Sequence, residues 1–84
     1  MKKINNETRR MAGANAIQNH MNDIDGMKAG DLRSLVKEDK IDAITDTIAD
    51  ILHYAESIGI KIHLDIFRRA QRHVMYELEQ EGKE

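Results

Sequence analysis

The stretch Ile41-Asp42-Ala43-Ile44-Thr45-Asp46-Thr47-Ile48-Ala49-Asp50-Ile51-Leu52-His53-Tyr54-Ala55-Glu56-Ser57-Ile58-Gly59 decides the fold of this chain. Isoleucine or alanine recurs at 41, 44, 48, 51, 55 and 58 in alternating three- and four-residue steps, and Leu52 widens the stripe. That spacing lays a continuous apolar seam along one side of an α-helix, whereas a strand would scatter it over both faces. Gly59 then stops the helix, because glycine enters the left-handed backbone region without a Cβ clash. The pattern predicts a helix over about residues 39–58.

Toward the C-terminus, Ile60-Lys61-Ile62 is too short for anything but a turn between helices. A second stripe follows at Phe67, Ala70, Val74 and Leu78, flanked by Ile66, and predicts a helix over about residues 63–81. Helices joined by so few residues are expected to pack antiparallel, stripe against stripe. Toward the N-terminus, Asp31 suits the cap of a short helix from Leu32 to about Lys37, and Lys37-Glu38-Asp39-Lys40 is expected to form a brief break. Asp25-Gly26 signals a turn. Met11, Ala14, Ile17, Met21 and Ile24 keep helical spacing, which predicts a helix over about residues 6–23 capped by Asn5 or Asn6. Gly13 lies in its middle, at about 1 kcal/mol relative to alanine. The expected fold is all-α and a single small domain spanning 1–84. It is an antiparallel helical hairpin (about 39–58 and 63–81) with one or two shorter N-terminal helices packed across it. Residues 31–81 are the expected helical core, and residues 1–30 are expected to be partly flexible until a partner binds.

Composition narrows the function. The only aromatic residues are Tyr54, Phe67 and Tyr76, so aliphatic residues and methionine must fill the core, and Met11, Met21 and Met27 are assigned to it. A thin aliphatic core in 84 residues favours self-association, and a homodimer is expected. The chain has no cysteine, so disulfides, zinc–thiolate sites and thiol chemistry are excluded. No apolar run reaches the length of a membrane span, and no apolar segment follows the basic residues 1–3, so a cytoplasmic location is expected. A net charge of −2 from nearly balanced signs provides no overall attraction for nucleic acid.

At 100° per residue, Asp39, Asp42, Asp46 and Asp50 fall opposite the isoleucine seam. Like charges four residues apart cost about 0.2–0.5 kcal/mol per pair, so this face is either simply solvated or a contact surface for a basic partner. The last helix carries the opposite charge away from its stripe, with Arg68, Arg69 and Arg72 around Tyr76. Asp42, Asp46, Asp50, Arg68, Arg69, Arg72 and Tyr76 are therefore the candidate partner-binding residues. Asp46, Asp50 and His53 have the spacing of metal ligands on one helix, but the next helix brings arginines toward them. His63 and His73 are read as ordinary flank histidines. No serine, histidine and acid form a local nucleophile signature, and no glycine-rich phosphate loop or calcium loop is present. No catalytic residue, metal site or cofactor is assigned, and the chain is read as a non-enzyme.

From Ile48 onward, Ile48-Ala49-Asp50-Ile51-Leu52-His53-Tyr54, Gly59, Arg69-Ala70-Gln71-Arg72-His73 and Glu77 resemble a pattern in small helical proteins of phages and prophages. The same region resembles more distantly a helix of MazG-like nucleotide pyrophosphatases, which carries Glu-x-x-Asp before an apolar run. Asp50 matches the aspartate of that motif, but Thr47 stands where its glutamate belongs, and the upstream Glu-x-x-Glu has no counterpart. Too few carboxylates remain for a magnesium–triphosphate complex, so that resemblance implies an inactive relative. The phage resemblance implies a protein that occupies a surface on a host or phage protein complex. An inhibitor of a defence complex, such as an anti-CRISPR protein, would act in this way from the host cytoplasm. A small DNA-binding transcriptional regulator is the alternative, which the acidic exposed side of the longest helix disfavours.

Overall fold

A computed structural model describes residues 5–82, and the expectations for residues 1–4 lie outside them. Three long helices make up the fold: α1 (Asn6–Asp25), α2 (Lys37–Ser57) and α3 (His63–Glu81). No strand occurs among the described residues, and the chain is all-α. Two 3₁₀ turns, Gly26–Lys28 and Leu32–Ser34, carry the chain from α1 to α2.

Each boundary has a local cause. The Asn5 side chain caps α1 by accepting from the Thr8 amide at 2.9 Å, which satisfies one of the unpaired donors of the first turn. Helix α1 ends at Gly26, where φ is +59°. Asp31 does act as a cap, accepting from the Arg33 amide at 3.0 Å, but it starts a single 3₁₀ turn and not a helix reaching Lys37. The backbone N–H of Arg33, and then its side chain, holds the Asp31 carboxyl below the ordinary aspartate value. The break expected over 37–40 falls one step earlier, where Leu35 and Val36 are extended, and α2 is already helical at Lys37. Glu38 and Asp39 favour that start because they sit in the positive first turn of the helix.

Helix α2 ends as its glycine demands. The amide of Ile60 donates to the Ala55 carbonyl at 2.9 Å and that of Gly59 to Glu56 at 3.0 Å, with Gly59 at φ +85°. This paired arrangement satisfies the orphan carbonyls of the last turn and points the chain into α3.

The packing between these helices differs from the expected seal of stripe on stripe. Helix α1 touches both α2 and α3 and carries most of the contacts between elements. The apolar residues buried among those described are only Leu32, Ala43 and Ala55. Thr47 joins them because its hydroxyl donates to the Ala43 carbonyl at 2.8 Å and so is not left unpaired. Ile41, Ile44, Ile51 and Ile58 stay 42–57% exposed along the α2 seam, and Phe67, Val74 and Leu78 stay exposed along α3. The methionines do not fill a core either: Met11 and Met27 are exposed, and only Met21 is half-buried. The Cα radius of gyration is 14.8 Å, against about 12 Å for a compact domain of this length.

Candidate functional site

Two surfaces collect the chemistry of this chain, and α1 positions both. Its C-terminal half lies beside α2 on the face bearing Ala43 and Thr47, whose small side chains allow close approach. This placement brings His20 to Asp50, with Nε2 to Oδ2 at 2.5 Å. Asp39, Asp42 and Asp46 border the same open cleft of about 460 Å³, opposite Met21 and Ile24 of α1. The acidic face of α2 is therefore not simply solvated, because one edge of it is a wall against α1. Asp50 is engaged within the chain, whereas Asp42 and Asp46 remain exposed. The cleft is suited to attract a cationic side chain. Among the described residues, however, no three His, Asp or Glu side chains converge closely enough to hold a metal ion. His53 stays exposed on α2 and takes no part in the His20–Asp50 pair.

The loop between α1 and α2 is fastened from α1 by one side chain. Gln18 accepts from the Leu32 amide at 2.7 Å and donates to the Gly30 carbonyl at 2.8 Å. Leu32 is thereby held in its buried position.

The second surface is built where the start of α1 meets the end of α3. The end of α3 holds Glu77, Glu79 and Glu81, with no basic residue in its last turn, an unfavourable arrangement at the negative end of a helix. Helix α1 supplies the missing positive charge. Arg9 pairs with Glu77, Arg10 pairs with Glu81 at 2.8 Å, and Asn6 donates to both the Glu77 carbonyl and the Glu81 carboxylate. The Asn6 hydrogen bond, and then the Arg10 charge, lowers the Glu81 pKa from its ordinary value.

The candidate residues of α3 divide on this scaffold. Arg69 is occupied by Asp65 one turn earlier at 2.9 Å. Arg68 is exposed on the same outer side. Arg72 and Tyr76 lie together, bordering one shallow groove with Met75 and Leu78 and another with Arg9 and His73. The structure thus groups Arg72 with Tyr76, whereas Asp50 pairs with His20 of α1. Reasoning from sequence missed His20, Gln18 and the Asn6–Arg9–Arg10 cluster. A signal existed for the last of these: two adjacent arginines near one end of the chain and four glutamates near the other are complementary charges. His20 and Gln18 had none, because their partners are 30 and 14 residues away.

No protein-family model matches this chain, and no curated protein or solved structure is significantly similar to it.

Proposed function

We propose that this protein is a non-enzymatic interaction module that binds another protein through the outer surface of α3. The observation that carries the proposal is that the charged side of α3, away from the Phe67 stripe, still carries exposed apolar side chains gathered around Arg72. Such a mixed apolar and cationic surface suits contact with another protein. Met75, Tyr76 and Leu78 are each more than half exposed and adjoin Arg72. Methionine, tyrosine and arginine are the residue types enriched where proteins meet. Arg68 adds positive charge to the same side. Asp42 and Asp46 form a secondary, acidic contact surface, with Asp50 restrained by His20. The resemblance of the segment from Ile48 onward to phage and prophage proteins supports a host or phage complex as the partner. Inhibition of a defence assembly, as by an anti-CRISPR protein, is the form of action we favour.

The test is affinity capture from a host lysate with the tagged protein and with an Arg72→Glu/Tyr76→Ala variant, followed by quantitative mass spectrometry. One assembly is expected to be enriched by the first and lost with the second. Loss of a tyrosine or arginine anchor costs about 2 kcal/mol or more, which is about thirtyfold in affinity. Equal recovery by both proteins, or recovery of no assembly by either, would refute binding through this surface.

A further inference from the structure

The exposed seam of α2 has a property that α3's stripe lacks: it reads the same in both directions. Its apolar positions 41, 44, 48, 51, 55 and 58 are separated by steps that form a palindrome. We infer that this seam is an isologous contact, at which a second copy of the chain lies antiparallel along α2 about a twofold axis at the level of Ala49 and Asp50. In that register Ile41 faces Ile58 of the second copy and Ile48 faces Ile51, while Ile44 lies over the level of Ala55, which its own chain already covers. A twofold contact requires a surface that matches itself when reversed, and an antiparallel pairing of this seam sets the exposed isoleucines 41 and 58 against each other at both ends and 48 against 51 at its middle.

The exposed area agrees. The chain presents 7327 Å² to solvent, whereas a compact monomer of 9.6 kDa presents about 5,100 Å². A stable interface of ordinary size takes about 800 Å² from each partner, well within that excess. Ile41, Ile44, Ile51 and Ile58 are each at least 42% exposed, so the seam has apolar surface left to cover. Electrostatics do not oppose the contact. Asp42, Asp46 and Asp50 project from other sides of α2, and a charge of −2 per chain is small. The surface on Arg72 and Tyr76 belongs to another helix, so the two contacts can fail independently.

Sedimentation velocity of the full chain over a dilution series should show a species of twice 9.6 kDa that dissociates to 9.6 kDa as concentration falls. Ile51→Lys should weaken association at least about tenfold. Its far-UV circular dichroism should stay unchanged, because Ile51 is 57% exposed in the single chain. The register is read separately. The chain has no cysteine of its own, so Ile41→Cys and Ile58→Cys each provide one thiol. A short bis-maleimide should join the two variants when they are mixed and neither variant to itself, since like positions lie about 25 Å apart in the antiparallel pair. A monomer at every concentration would overturn the inference. So would a dimer indifferent to Ile51→Lys, or cross-linking of each single variant to itself.

Discussion

Replacing Gln18 with alanine tests whether α1 and the following loop are held together as described. The side chain serves two backbone groups at once, the Leu32 amide at 2.7 Å and the Gly30 carbonyl at 2.8 Å. Each hydrogen bond contributes about 0.5–1.5 kcal/mol net. Gly30 is exposed, so its carbonyl can turn to water, whereas Leu32 is one of the few buried apolar residues and its amide has less access to solvent. The loss should therefore be about 1–2 kcal/mol, most of it from the Leu32 amide. In a domain of this size that lowers Tm by about 5–15 °C. Urea unfolding followed by circular dichroism, at one fixed protein concentration so that association does not shift the midpoint, gives the free energy directly. Gln18→Glu provides the control, because it keeps an acceptor for Leu32 and gives up only the amide donor, which serves the exposed Gly30 carbonyl and Asn22. It should lose less than half as much as alanine does. If Gln18→Ala changes stability by less than about 0.3 kcal/mol, or if both variants lose equally, the brace does not act through the Leu32 amide.

Two further outcomes follow from the helix ends. Gly59→Ala should destabilise the protein by about 1 kcal/mol, seen as a lower urea midpoint with unchanged slope. Gly59 sits at φ +85° with open space where a Cβ would go, so the cost is backbone strain alone, and Gly59→Asn should lose less. The junction of α1 and α3 should weaken in acid. Glu81 is held below its ordinary value by Asn6 and Arg10, so in the folded chain it stays charged to lower pH than in the unfolded chain. Its contribution is complete above the unfolded value of about 4.3 and disappears as pH falls through the lower folded value. Amide exchange over residues 6–10 should speed up in that range more in the wild type than in Glu81→Gln, after correction for intrinsic rates. Equal acid sensitivity in the two proteins would place the titrating group elsewhere.

The division between what was legible in the sequence and what was not runs along a physical line. Elements whose causes lie within a few residues were read directly. The seam from Ile41 to Ile58 marks α2, Gly59 ends it, and the stripe through Phe67 and Leu78 marks α3, each within two residues of the observed boundary. Asn5 as the cap of α1 was one of two options, and the amide of Thr8 selects it. The start of α2 was misplaced because Lys37-Glu38-Asp39-Lys40 looks like a charged break, although its acids are in fact a favourable first turn.

Periodicity could not say what covers a stripe. It shows that one side of a helix is apolar, and that side can meet another helix of the same chain, a second copy or a different protein with equal fidelity to the pattern. The expectation that α2 and α3 seal each other assumed the nearest occupant in sequence, whereas α1 is the helix that bridges them, leaving much of both stripes exposed. The candidate sites were separated in the same way. Asp42, Asp46 and Asp50 form one series on a helical wheel, yet only the fold brings His20 across 30 residues to single out Asp50. Arg68, Arg69 and Arg72 likewise look equivalent until Asp65 engages Arg69 and Tyr76 is set beside Arg72. The sequence by itself determined the helices and the sides they present, because backbone propensity, capping and spacing act over a turn or two. Which sides were closed, and which stayed exposed, was decided only when segments as far apart as Asn6 and Glu81 met in space.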